Sequence, residues 1–226
     1  MVVVEDLCKK YRGTPVLDHV SITCEAGKVT GLVGPNGSGK TMLMRAIAGL
    51  IKPTSGRVLI DGQQIGKDIF FPKSCGLLLE GPAFLERKTA YMNLKLLSMI
   101  KRKATSEQIR QWIRTVGLDP ESKIPYRKFS LGMKQRLGIA GAMFEEPDLL
   151  LLDEPTNALD TSGVRMLIEL VQEAANRGAT VLLASHDNNV MHSLAHKIWH
   201  MAEGHVDYCE EIEPASKTTL EDGGAQ

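Results

Sequence analysis

Gly34-Pro35-Asn36-Gly37-Ser38-Gly39-Lys40-Thr41 fits the pattern G-x-x-x-x-G-K-[ST] at every fixed position. Residues of these types in this order suit a polyphosphate. Three glycines let the backbone adopt positive φ and close tightly around an anion. The loop N–H groups point inward, and a following helix turns its positive end toward the same charge. Lys40 supplies a mobile positive charge for the terminal phosphates, and the Thr41 hydroxyl suits a magnesium ion. A second group lies far downstream, where the apolar run Leu149-Leu150-Leu151-Leu152 ends in Asp153-Glu154. A carboxylate at the C-terminal end of a buried strand can face the loop after a neighbouring strand, where ligands of α/β proteins bind. Asp153 is expected to hold magnesium, directly or through water. Glu154 is expected to accept a proton from an attacking water or to orient it.

These groups need elements to hold them. Val29-Thr30-Gly31-Leu32-Val33 reads as a short buried strand and Met42 to Leu50 as an apolar helix, which gives a strand–loop–helix context. Upstream, apolar and polar residues alternate through Val2, Val4, Leu7, Val16, Val20 and Ile22. This predicts two antiparallel strands with a turn at Arg12-Gly13-Thr14-Pro15. Arg57 to Asp61 is expected as a strand opened by Ser55-Gly56, and Cys75 to Leu79 as a short buried one. From Gly81 to about Glu146 the spacing turns helical, over Thr89 to Met99, Ser106 to Val116 and Ser130 to Phe144, with Gly117-Leu118-Asp119-Pro120 as a stop. A separate helical lobe over about 81–146 follows. Buried strands resume at Leu149 to Leu152 and Thr180 to Ala184, on either side of a helix from Ser162 to Asn176. Lys197 to Met201 and His205 to Tyr208 read as a terminal hairpin around Glu203-Gly204. Residues 1–208 thus form one α/β domain, and 209–226 an acidic tail expected to be disordered.

Composition narrows the function classes. Lysine plus arginine number 27 and aspartate plus glutamate 27, so there is no basic footprint for nucleic acid. No apolar run reaches the roughly 18 residues that a membrane span needs. The start Met1-Val2-Val3-Val4-Glu5-Asp6 lacks the basic and long apolar regions of a signal peptide. Cys8, Cys24, Cys75 and Cys209 form no CxxC pair, so reduced thiols in a cytoplasmic setting are expected.

Between the two phosphate-site stretches lies Phe129-Ser130-Leu131-Gly132-Met133-Lys134-Gln135-Arg136. It looks like LSGGQ followed by a basic helix, with Leu131 in place of the first glycine and Met133 in place of the glutamine. With it, residues 1 to about 208 resemble the ATP-binding subunit of ABC transporters. The resemblance implies a P-loop NTPase cassette with a RecA-like core, an antiparallel β subdomain and an inserted helical subdomain. It implies ATP with Mg2+ as cofactors, held by Gly34 through Thr41 and Met42, with Thr41, Asp153 and Glu80 near the metal and Lys40, Glu154 and His186 at the reaction. Tyr11 matches the aromatic that stacks on adenine. Ser130 and Gly132 would touch the γ-phosphate of ATP held by a second copy, and Ser130 is a good N-cap, which suits an anion. Asn157-Ala158-Leu159-Asp160 looks like the loop that crosses the dimer interface, and His186 in Ser185-His186-Asp187 would contact the γ-phosphate.

The implied partners are a second copy, packed head to tail around two ATPs, and a separately encoded membrane permease that keeps the protein on the inner face of the cell membrane. Phe84, Leu85 and Tyr91 fall where the resemblance places the groove for that partner's cytoplasmic helices. Glu80 departs from the family's usual glutamine. With Ser-Leu-Gly-Met-Lys-Gln-Arg, it resembles the branch that exports peptide antibiotics or gives immunity to lantibiotics and bacitracin. Beside Asp153, Glu154 and a triphosphate, its charge is tolerable if magnesium is close, if Glu80 is protonated, or if it swings away until the partner docks. The rivals are a soluble ABC-type ATPase acting on ribosomes or DNA, and a nucleotide-gated adaptor without turnover; Glu154 and His186 argue against the second. His192, His196 and His200, spaced by four, invite a metal face, but His200 falls in a predicted strand. Lys101-Arg102-Lys103 is a single basic triplet at a helix end.

Overall fold

The computed structural model describes residues 1–101 and 104–212. The chain runs β1 (Val2–Tyr11), β2 (Thr14–Cys24), β3 (Val29–Val33), α1 (Lys40–Ile47), β4 (Ser55–Ile60), β5 (Gln63–Gln64), β6 (Cys75–Leu78), α2 (Ala90–Lys101), α3 (Ser106–Thr115), a 3₁₀ turn (Tyr126–Lys128), α4 (Leu131–Met143), β7 (Leu149–Asp153), α5 (Thr161–Asn176), β8 (Thr180–Ala184), α6 (Asn188–Leu194), β9 (Lys197–Ala202) and β10 (His205–Glu211). Strands β2-β1-β4-β5 form an antiparallel sheet. The other sheet has the order β10-β9-β3-β8-β7-β6 and is parallel except for β10, which turns back on β9.

The four leucines of β7 explain why the parallel sheet sits in the middle. Side chains alternate along a strand. Leu150 and Leu152 enter one apolar cluster, and Leu149 and Leu151 enter the other. The neighbouring β8 divides in the same way, with Val181 and Leu183 on one side and Leu182 and Ala184 on the other. The first cluster joins the sheet to the helices through Leu94, Ile109, Ile113, Leu137 and Leu167. The second joins it to α1 and to the antiparallel sheet through Leu43, Met44, Val4, Leu7 and Val58. Among the described residues, the helices expected as a lobe over 81–146 share an apolar cluster with the sheet. No helix among the described residues is long and apolar enough to cross a membrane.

Several boundaries differ from the sequence reading. Helix α1 begins at Lys40 and ends at Ile47, not Met42 to Leu50, because Gly39 at φ +104 starts it and Gly49 at φ +76 stops it. Helix α3 is capped by Thr105, whose side chain accepts the Gln108 N–H at 3.2 Å while Gln108 Oε1 accepts the Thr105 N–H at 2.8 Å. Strand β10 continues through Glu211, so Cys209, Glu210 and Glu211 belong to the sheet rather than to the tail. Ladder pairing with Trp199, Ile198 and Lys197 and a Lys197–Glu211 ion pair of 3.2 Å hold them there. Residues 213–226 of the expected tail, and Arg102 and Lys103 of the basic triplet, lie outside the described residues. Helix α6 and the two-residue β5 had no periodic signal long enough to predict them.

Candidate functional site

Register brings the distant carboxylates to the loop. Asp153 pairs with Ala184 across β7 and β8, and Ala184 pairs with Leu32 across β8 and β3. The loop after β3 therefore leaves the same end of the sheet at which β7 delivers Asp153 and β8 delivers His186. A cleft of about 610 Å³ opens there, lined by loop residues Asn36 to Ser38, by Lys40, Thr41, Glu80, Asp153 and Glu154, and across from them by Leu131, Gln135, Asn157 and Ala158.

The loop is built to approach an anion closely. A Cβ on Gly34 would lie 2.1 Å from the Met201 carbonyl oxygen and 2.7 Å from Ser38 Oγ, so only glycine fits. No side chain caps α1, so the N–H groups of Lys40, Thr41 and Met42 remain available at its positive end. Ser38 Oγ is buried with no hydrogen-bond partner among the described residues. Lys40 is only 7% exposed, and its ammonium donates to the carbonyls of Gly34 at 2.7 Å and Pro35 at 3.1 Å. An orphaned hydroxyl, uncapped helix N–H groups and a buried cation held by carbonyls together fit a polyphosphate. Met42 packs its side chain on the second apolar cluster and can offer only backbone.

Thr41 Oγ1 donates to Asp153 Oδ2 at 2.5 Å. Burial pushes the Asp153 carboxyl above its ordinary range; the Thr41 hydrogen bond opposes this, Glu154 adds to it, Lys40 opposes it and Glu80 adds to it. A hydroxyl and a partly desolvated carboxylate in contact are hard oxygen donors of the kind magnesium takes. Glu154 sits in the left-handed region at φ +49, its N–H bonded to the Ala184 carbonyl at 2.8 Å. Its Oε2 lies 2.8 Å from Nδ1 of the exposed His186 ring. Backbone strain of this kind persists where surrounding contacts over-determine it.

Other residues fall elsewhere. Tyr11 is 61% exposed at the tip of the β1–β2 hairpin, outside the cleft lining, although the start of β2 abuts the loop: the Val16 carbonyl is 3.0 Å from a Cβ placed on Gly39. Ser130 is exposed and caps α4 by accepting the Met133 N–H at 3.2 Å. Gly132 is needed at close quarters, since its Cβ would lie 2.9 Å from the Ala158 carbonyl oxygen. Asp160 does not reach the cleft. Its carboxylate caps α5 at Gly163 N–H (2.9 Å) and accepts from Arg136 Nη2 (2.7 Å) and Ser162 Oγ (3.1 Å). The Gly163 N–H first, then Ser162 and Arg136, hold this carboxyl below its ordinary range. Phe84, expected at a docking groove, is half-buried and lies edge-on to Tyr126 at 5.5 Å and against Gly141, while Leu85 beside it is 55% exposed. The three histidines share no face: His192 is on α6, His196 Nδ1 accepts the Val29 N–H at 3.3 Å, and His200 stacks on Tyr208 in the hairpin.

Sequence reasoning quoted Gln135 and Arg136 without giving them work. Buried Gln135 donates from Nε2 to the carbonyls of Pro155 at 2.9 Å and Glu154 at 3.4 Å, which ties α4 to the turn that carries Glu154. Arg136 ties the same helix to Val116 (3.0 Å) and Asp160. Position within the quoted stretch was the available signal for both.

A family model described as ABC transporter matches residues 17–157. The chain is 47% identical to an uncharacterized ABC transporter ATP-binding protein, YybJ, of Bacillus subtilis (strain 168), over 94% of this chain and 97% of that one. It is 35% identical to the lantibiotic transport ATP-binding protein SrtF of Streptococcus pyogenes, over 91% of this chain and 89% of that one. It is 39% identical to the bacitracin transport ATP-binding protein BcrA of Bacillus licheniformis, over 88% of this chain and 66% of that longer one. Among solved structures, the ATP-binding cassette MJ0796, a dimer bound to ADP and Pi, superposes with a TM-score of 0.86 at 24% identity over 95% of this chain and all of that one, which establishes the fold.

Proposed function

The chain belongs to the ABC transporter family as an ATP-binding, ATP-hydrolysing subunit, and we propose that it powers a separate membrane-spanning subunit that exports, or protects against, a peptide antibiotic. One observation carries the mechanism best: Lys40, Thr41, Asp153, Glu154 and Gln135, scattered over the sequence, line a single cleft at the C-terminal end of a parallel sheet. Lys40, Ser38 and the N–H groups at the start of α1 would hold the phosphates. Thr41 and Asp153 would hold magnesium, which would supply charge neutralisation there. Glu154 Oε2 would take the proton that the attacking water gives up, while His186 holds that carboxylate through Nδ1 and Gln135 steadies its backbone. Tyr11 stands ready for a base that extends beyond the phosphate cleft.

The peptide-antibiotic cargo is supported by the names of the SrtF and BcrA relatives and by Glu80. Head-to-tail dimerisation is supported by the exposed N-terminus of α4, where, among the described residues, Ser130 Oγ bonds within its own helix. Docking on the membrane partner is assigned to Leu85, the more exposed neighbour of half-buried Phe84. The test is purification from native membranes in mild detergent. The expected outcome is recovery of a polytopic membrane protein, reduced several-fold by Leu85→Asp with ATPase activity retained, and greater sensitivity to lantibiotics or bacitracin in cells lacking the chain. Recovery only with ribosomes or DNA, or unchanged sensitivity to every peptide antibiotic tried, would overturn the reading.

A further inference from the structure

Glu80 brings a negative charge to a cleft that already holds two carboxylates. It follows β6 in the left-handed region at φ +57 and lines the cleft with Asp153 and Glu154. The structure supplies a counterion that lies neither in the nucleotide nor in a partner: Arg45 Nη2 donates to Glu80 Oε2 at 2.5 Å. Arg45 belongs to the last turn of α1, so the helix that opens with the phosphate-binding Lys40 ends with the cation that meets Glu80. The arginine side chain is the less exposed partner, 34% against 57%, and its Nη1 rests 4.0 Å from Met42 Sδ. The cation is thus the anchored member and the carboxylate the adjustable one. Arg45 itself does not line the cleft.

From this geometry we propose that Arg45 is a positioning residue: it draws Glu80 toward the α1 side of the cleft wall and neutralises it, and so sets how much negative charge the phosphates of a bound nucleotide meet. The proposal rests on the reading of the cleft as an ATP site. Its consequence is directional. Without Arg45, Glu80 is free to turn into the cleft, where it repels a triphosphate. Without Glu80, removal of Arg45 has little to act through, because the guanidinium is outside the cleft.

The test is equilibrium binding of a fluorescent ATP analogue in EDTA to wild type, Arg45→Gln, Arg45→Lys, Glu80→Gln and the double variant Arg45→Gln/Glu80→Gln. Arg45→Gln is expected to weaken binding about threefold to fivefold, the scale of a half-exposed ion pair, and less at high salt. Glu80→Gln should bind somewhat more tightly than wild type, Arg45→Lys should bind like wild type, and the double variant should bind within about twofold of Glu80→Gln, which a misfolded Arg45→Gln would not do. Two results would overturn the proposal: an Arg45→Gln deficit equally large with Gln at position 80, meaning that Arg45 acts alone, or no deficit at all. Wild-type protein that binds no nucleotide in EDTA or magnesium would instead overturn the ATP reading.

Discussion

On the phosphate-loop wall of the cleft Ser38, Lys40 and Asp153 are buried, and each short contact is made within the chain. At the N-terminus of α4, which also borders the cleft, Leu131 is 72% exposed and Ser130, among the described residues, bonds within its own helix. Burial accounts for the difference. A charge out of water must be held by fixed partners, so the first wall is organised before any ligand arrives. An exposed apolar residue at a helix start is held by nothing and is the composition that interfaces use. One wall is therefore finished chemistry, and the other waits for a second surface.

Four experiments test that division. The largest effect is expected from Glu154→Gln, which keeps the shape of the finished wall and removes its base. Hydrolysis should fall about 100-fold or more with ATP binding retained and a dimer accumulating on gel filtration; near-normal turnover would remove Glu154 from its role. Next, Lys40→Ala should lower nucleotide affinity about tenfold to a hundredfold by loss of a charged hydrogen-bond donor. Affinity equal to wild type by calorimetry would show that the buried ammonium belongs to the fold rather than to the phosphates.

The open wall predicts a smaller effect that depends on concentration. If the site needs a second copy, a twofold dilution in the dissociating range should lower the rate per unit volume by about fourfold, and Leu131→Asp should shift that range to higher concentration. Activity strictly proportional to protein throughout would mean that one copy suffices, which would remove the contrast between the walls. The smallest effect concerns what the finished wall costs the fold. Asp153 has its carboxyl raised in the folded protein, mainly by burial. The folded state therefore binds a proton more readily than the unfolded chain, and stability falls as pH rises from near the ordinary carboxyl value of 3.8 through the raised one. Asp153→Asn should raise the melting temperature of the nucleotide-free protein slightly at pH 7, with the gain gone below the ordinary carboxyl range. A lower melting temperature at pH 7 would show that the Thr41 and Lys40 contacts outweigh desolvation.

Local order alone made much of this legible. The phosphate loop needs glycines at set positions because backbone must approach an anion, and that constraint is written consecutively from Gly34 to Thr41. The leucines of β7 declare a strand covered on both faces, since no half-exposed strand would carry four in a row. Ser130 announces a cap, and it caps α4. Where a single residue decides the local geometry, or an apolar run decides burial, the sequence by itself determined the outcome. Tertiary structure decided which surfaces meet. Asp160, placed by resemblance in the loop that crosses a dimer interface, is paired with Arg136, 24 residues off. Phe84 fills a space beside Gly141 and Tyr126 that exists only once α4 is packed on the sheet. Glu80 meets Arg45 across 35 residues. Such pairs depend on how α1, β6, α4 and α5 are set against one another by their apolar faces, and no local periodicity carries that distance.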